Sequence, residues 1–497
     1  MGSLGLLLRA AAAQGAGDFN GDGAHDLAVA AISERGAGIR GGVLHTLYGR
    51  PGTGLSAAGD QLWSQATAGV AEDPEDKDQF GWAQAEADFN GDRYADLAIG
   101  VPGEDVMGSA DAGVVHVLYG GPSGLQAAGS QLWQQGLAGV ADLPAPDDRF
   151  GHALAAGDFN GDGYADLAIG VPGQDYYFSI PAVGAVHVLF GSAAGLSSAG
   201  ALFFFEGGTI NLGDLLDQFG FALTAGDFNG DGRDDLAVCT LNGNASAGSV
   251  AVYYGRASGL SDRAQVWDQD SPGVGEAGET EDDFGSVLGN GDFNGDGYAD
   301  LAVGVPNEWF GPIAGGGLIH VLFGGGGGLT AAASQIWTLD TPGVPGRADN
   351  ADHLGNALAA GDFNGDGAHD LAVGVSGSNE WIDDGGAVLV LAGQVGLGLV
   401  AAGARLSGQG QGGLGETADI DDLFGEHLQA GDFDGDGFQD LAIGVPHEDF
   451  IPLFDVGVFH LLYGSAGGLS GARDQVWSQD SSGVRGKSEA LDMFGRF

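Results

Sequence analysis

A six-residue string, DFNGDG or a near copy, returns seven times in this chain, beginning at Asp18, Asp88, Asp158, Asp227, Asp292, Asp362 and Asp432. Successive copies lie 70, 70, 69, 65, 70 and 70 residues apart. The 497 residues are therefore read as seven structural units, not as the few unrelated domains that length alone would suggest. Eight residues before each copy from the second onward stands Phe-Gly or Leu-Gly, as at Phe80-Gly81 and Leu354-Gly355, and an Asp precedes each pair by two positions. After each copy comes Asp-Leu-Ala-Ile/Val, then a second apolar run ending in most copies in Tyr-Gly or Phe-Gly, then a segment such as Ser130 to Gln134.

Each period thus holds four short strands. In Leu97, Ala98, Ile99, Gly100 and Val101, bulky residues alternate with small ones, so the strand has two apolar faces, one thick and one thin. A sheet covered on both faces by like sheets is a propeller blade, and seven blades close a ring. The expected fold is an all-β, seven-bladed propeller of four-stranded antiparallel blades spanning 10–497, with 1–9 as a leader. The 98 glycines fit turn-rich β-structure and leave little room for helices.

The ends bear on closure. The first copy has Ala10-Ala11 where Phe-Gly belongs, whereas the chain finishes Asp492-Met493-Phe494-Gly495-Arg496-Phe497, a strand start with no loop after it. The expectation is that this segment completes the first blade. The alternative is a fragment cut as an eighth repeat begins, since Ala10 to Ala13 hold the same register as Phe494 to Phe497.

Composition excludes some functions. With 68 acidic against 16 basic residues and a net charge of -52, the chain lacks the basic surface that nucleic acid requires. One cysteine, Cys239, rules out an internal disulfide, and its apolar setting reads as core. No run reaches the length of a membrane span. Leu4 to Leu8 are too few for a signal-peptide core.

The acids are concentrated in the repeated loops, 18–26, 88–96, 158–166, 227–235, 292–300, 362–370 and 432–440. Position 1 is the Asp named above. Position 3 is Asn20, Asn90, Asn160, Asn229, Asn294, Asn364 and, last, Asp434. Position 5 is Asp22, Asp92, Asp162, Asp231, Asp296, Asp366 and Asp436, and position 9 is Asp26, Asp96, Asp166, Asp235, Asp300, Asp370 and Asp440. Position 7 varies through Ala24, Tyr94, Tyr164, Arg233, Tyr298, Ala368 and Phe438, as expected where only a backbone carbonyl is used. Oxygens from carboxylates, amides and carbonyls are what calcium takes, six to eight at a time. An EF-hand needs a Glu at position 12, where these loops carry Val or Ile leading into a strand.

Asx-rich turns without metal are the rival. Carboxylates about 4 Å apart repel by about 1 kcal/mol per pair in water and about 4 at an effective dielectric of 20, which summed over seven loops favours a divalent ion, about seven calcium ions per chain. Mg²⁺ suits less well because it keeps its waters. Gly fills position 6, expected at positive φ, in every copy but the second, where Arg93 should strain the loop.

The set of Phe150-Gly151, the loop Asp158 to Asp166 and the run Leu167 to Pro172 resembles the FG-GAP repeats of integrin α-subunit propellers and of bacterial surface proteins. The resemblance covers nearly the whole chain, degrading at Cys239-Thr240 and at Val375-Ser376-Gly377. It implies structural calcium in the loops and adhesion or ligand recognition by the propeller. All seven loops here look competent and no integrin leg or membrane span follows, so a prokaryotic-type, integrin-like module is the closer description.

Connections in a four-stranded meander alternate between two ends, so the loops joining strands two and three, and those between blades, lie opposite the acidic loops. They carry Tyr176, Tyr177 and Phe178; Trp309 and Phe310; Trp381; and Phe450. Aromatics on loops of a rigid scaffold point to a recognition face for a protein or carbohydrate partner. His45, His116, His187, His320 and His460 recur on the third strand and read as satisfied structural residues, and Trp63, Trp133, Trp267, Trp337 and Trp477 as packing. The expected function is an extracellular or cell-surface calcium-binding adhesion or ligand-recognition module without catalysis. The alternative is the propeller domain of a secreted polysaccharide- or lipid-degrading enzyme.

Overall fold

The computed structural model describes residues 17–35, 38–175, 182–205, 217–242, 247–275, 277–309, 312–382, 384–450 and 452–497. Seven four-stranded antiparallel sheets run round a ring, and no helix occurs among the described residues. The second blade is typical, with strands Gln84–Ala87, Asp96–Val101, Val114–Tyr119 and Gln126–Trp133 in that spatial order. First strands of successive blades touch one another, so they line the axis.

The core lies between blades. Leu97, Ile99 and Val101 pack on Leu44 and Ala28 of the preceding blade, while Ala98 faces Leu167, Ile169 and Val171 of the next. The thin face is thin for a reason: a Cβ at Gly100 would sit 2.1 Å from the carbonyl oxygen of Gly151, where the next blade's Phe-Gly passes. Phe80, Phe150, Phe219, Phe284, Leu354 and Phe424 are all sealed from solvent, and so is the Phe inside every acidic loop. At about 1.5–3 kcal/mol per fully buried side chain, these two anchors per blade fix both ends of each first strand. The Asp two places before Phe-Gly pins the approach: Asp148 accepts the N–H of Ala145 at 2.7 Å, and its flanking residues Asp147 and Arg149 take φ of 64° and 59°.

Closure follows the sequence expectation. Strand Phe494–Arg496 pairs with Leu27–Ala31, giving the first blade the same four strands as the others. Phe494 stands where Phe80 stands in the second blade: it packs edge-on to His45 with ring centroids 5.4 Å apart, as Phe80 packs on His116 at 5.6 Å. Residues 1–9 and Ala10 to Ala13 lie outside the described residues.

The histidines are buried, as expected, and they are satisfied only in part: His460 Nδ1 lies 3.0 Å from Asp474 Oδ2, and His45 Nδ1 3.5 Å from Asp60. His116, His187 and His460 leave Nε2, and His320 both ring nitrogens, without a protein partner. Burial among phenylalanines pushes His116 and His320 down to about 4 and His187 down to about 3. The strand-four tryptophans do pack in the blade cores.

Candidate metal centre

Six of the acidic loops connect strand one to strand two, and the first leads into strand two of a blade whose strand one is Phe494–Arg496; all lie at the end of the ring that also carries the three-to-four connections. They form a chain of their own. In each blade the position 8 N–H donates to the position 1 carbonyl of the preceding loop, from Ala95 to Asp18 at 3.0 Å round to His25 to Asp432 at 2.8 Å. Three-to-four connections join in, as Gly396 does by donating to the carbonyl of Asn294.

Within the third loop, Asp158 Oδ1 accepts from the N–H of Gly161 and Asp162 at 2.8 and 3.1 Å, and Oδ2 from Gly163 at 2.9 Å. Asp162 accepts from Tyr164 at 3.1 Å. Asp166 accepts from Phe159 at 3.1 Å and from Gly191, the glycine ending strand three, at 2.9 Å. The other loops repeat the plan, so position 9 is an anchor as well as a candidate ligand, and it explains the Tyr-Gly or Phe-Gly signature. Burial pushes Asp26 up to about 9, Asp96, Asp166, Asp235, Asp300 and Asp440 up to about 8, and Asp370 up to about 7; backbone donors oppose the shift, and the carboxylates at positions 1 and 5, or at positions 3 and 1 for Asp440, add to it.

Crowding is uneven. Among the described residues, only the seventh loop brings three of its acids together, with oxygens of Asp432, Asp434 and Asp440 within 4.8 Å of one another. There Arg473 lies 3.0 Å from Asp434 and 4.2 Å above the ring of Tyr463. The carboxylates of every loop accept backbone N–H groups, the seventh included, and among the described residues no three converge in the other six, so the simple sum of close pairs overstates the repulsion there. Donor types still suit a hard cation: Asp18, Asp22, Asp26 and Asn20 in the first loop, or Asp227, Asn229, Asp231 and Asp235 in the fourth, offer only oxygens once the amide turns its carbonyl inward.

Position 6 is left-handed throughout, φ 85° to 92° at the six glycines and 77° at Arg93. Position 7 is not free, contrary to the sequence expectation. The rings of Tyr94, Tyr164, Tyr298 and Phe438 lie over the position 4 glycine of the preceding loop, where a Cβ would come within 2.4–2.6 Å. Arg233 fills the same place over Gly161. Where position 7 is Ala368, Val395 from a three-to-four connection covers Gly295 instead. The repeated glycine at position 4 was the signal for this lid.

At the opposite end, two-to-three loops pair with the segments between blades, as Arg40 and Ala110 do by accepting from Lys77 and Asp147. Trp309 is 63% exposed and Trp381 40% exposed, its ring resting on Gly408. Phe450 does not join them, because it packs against the buried cluster of Phe424 and Leu441. Tyr176, Tyr177, Phe178 and Phe310 lie outside the described residues. No helix of the described residues is long and apolar enough to cross a membrane.

The FG-GAP repeat pattern matches residues 80–118, 150–189, 219–253, 284–322, 354–391 and 424–462. Phosphatidylinositol-glycan-specific phospholipase D of Rattus norvegicus is 38% identical over 184 residues, 35% of this chain and 20% of that protein. Integrin alpha-PS2 of Drosophila melanogaster is 29% identical over 247 residues, 48% of this chain and 15% of that one. Integrin alpha-V of Gallus gallus is 29% identical over 253 residues, 49% of this chain and 21% of that one. The chain thus spans about a fifth of the length of the curated relatives it matches. Six blades carrying the repeat, and a seventh built to the same plan from both ends of the described chain, make this an FG-GAP repeat protein with an integrin-like β-propeller.

Proposed function

We propose that the chain is a calcium-stabilised ligand-recognition module that works outside the cytoplasm. One observation carries the calcium reading: the same oxygen-bearing pattern at positions 1, 3, 5 and 9 sits at one end of every blade, and in the seventh its carboxylates converge within 4.8 Å. The residues fit the ion. Asp at positions 1, 5 and 9, Asn or Asp at position 3 and the position 7 carbonyl would hold it, and it would supply charge compensation for acids that burial otherwise drives toward protonation. Sites of this kind fill readily at extracellular calcium levels, which supports export. Exposed Trp309 and Trp381 at the other end support a protein or carbohydrate ligand there.

Periods of 65 to 70 residues leave no room for an inserted catalytic segment, which favours binding over chemistry. The likeness to the phospholipase supports a second reading, a propeller joined to a lipid-degrading enzyme. The test is equilibrium dialysis against calcium with melting curves recorded in chelator. We expect about one ion lost from the Asp158→Asn, Asp162→Asn variant, seven loop ions in the parent, and a large fall in melting temperature on chelation. A melting curve indifferent to chelator would overturn the reading. A glycan and matrix-protein screen comparing the parent with a Trp309→Ala, Trp381→Ala variant tests the recognition face, and equal binding would exclude it.

A further inference from the structure

Where one blade meets the next, the outer strands close over two large aromatic side chains, one at the end of strand three and one on strand four. Tyr48 and Trp63 do this at the first junction, Tyr119 and Trp133 at the second and Phe190 and Phe204 at the third, and equivalent pairs stand at the fourth, fifth and seventh. The sixth blade has neither. Its strand three ends in Ala392, and Ser407 lies opposite Val388 where Trp63 lies opposite Leu44.

Both losses fall on one cavity. A space of about 600 Å³ lies between the sixth and seventh blades, lined by Ala392, Val390 and Ser407 on one side and by Leu441, Leu462 and Leu469 on the other. No neighbour has closed it: Val390 is half-buried, whereas its counterparts Val117, Val188, Val252 and Val321 are sealed from solvent. Protein interiors leave few voids larger than a water molecule, and a space this large is the size of a small-molecule site. It opens between outer strands on the flank of the ring, where Arg405, Gly412 and Gly467 are exposed.

The polar end of the cavity differs as well. Tyr119 donates its O–H to Gln131 at 2.6 Å and accepts from the N–H of Leu196 at 3.1 Å, and Tyr254 accepts from Leu329 at 3.0 Å. Where strand three ends in Phe323, Gln335 Oε1 takes the N–H of Leu399 instead, at 3.0 Å. Arg405 replaces that glutamine in the sixth blade, and its Nη1 and Nη2 donate to the carbonyls of Leu469 and Gly467 at 2.7 and 2.9 Å. Arginine has no acceptor to offer, so the N–H of buried Leu469 has none among the described residues. An oxygen entering here meets donors only and must accept. The net charge of -52 disfavours an anion.

We propose that this cleft binds a neutral aromatic molecule of one or two fused rings that carries a hydroxyl or carbonyl oxygen. Its rings take the place of the side chains the other junctions supply themselves, and its oxygen accepts from Leu469 and Arg405. An apolar cavity left by a missing side chain takes up a ring of matching size.

Naphthol, dialysed against the full chain, is the probe, and one molecule should bind per chain. Ala392→Tyr, Ser407→Trp rebuilds the pair found at the other junctions, and should abolish binding while raising the denaturant midpoint. Ser407→Trp alone fills half of the space and serves as the same test should the double variant not fold. Arg405→Leu places at this site the residue that the third blade carries as Leu202, and should weaken naphthol by about tenfold, as loss of a charge-assisted hydrogen bond does. No binding by the parent, or undiminished binding by the refilled chain, would overturn the site; equal affinity in Arg405→Leu would refute the placement of the oxygen.

Discussion

Arg93 holds a left-handed backbone, φ 77°, at the one loop position where every other copy has glycine. A non-glycine residue in that region costs about 1–3 kcal/mol, part of which glycine gives back through its freer unfolded chain. Arg93→Gly should therefore stabilise the protein by about 1 kcal/mol, read as a shift in denaturant midpoint. His187 offers a pH test away from the loops. It stacks on Phe203 at 4.5 Å, and burial pushes its pKa down to about 3 from 6.5. With the folded value depressed, the unfolded chain binds more protons between those limits, so this contribution is intact above pH 6.5 and is lost as pH falls toward 3. His187→Phe should gain stability relative to the parent as pH drops from 6.5 to 4; a constant difference across that range would refute the assignment.

Among the elements, the strand from Phe494 to Arg496 completes the first blade and joins it to the seventh. Phe494 is sealed from solvent and touches both His45 of the first blade and Phe459 of the seventh. Phe494→Ala should cost about 3–5 kcal/mol in chemical denaturation, against less than about 0.5 for Phe454→Ala at an exposed site. Closure, blade number and loop placement were legible in the sequence because they repeat within one period. Two things were not. The position 7 ring covers a glycine one blade earlier, and the Gln269 amide meets Glu308 across a blade boundary; each pairing joins neighbouring repeats, which a search within one period does not reveal. Phe450 was misassigned for a related reason, since an aromatic in a loop reads alike whether it faces solvent or the adjacent core.

At the scale of the whole molecule, the seven acidic loops form one hydrogen-bonded circuit. On the proposed calcium reading, removing one ion should loosen its neighbours. We expect the Asp158→Asn, Asp162→Asn variant to weaken calcium binding at the second and fourth loops more than at the sixth, measured by competition with a chelator; equal affinities at all remaining sites would show that the loops act singly. The joint between the first and last blades has a consequence for biosynthesis. Six blades emerge from the ribosome with all four of their strands in order, but the innermost strand of the first is translated only after all six of them. Until residue 494 is available the nascent protein is an open arc with an apolar flank at each tip, and it stays vulnerable to association through those flanks until the final strand docks.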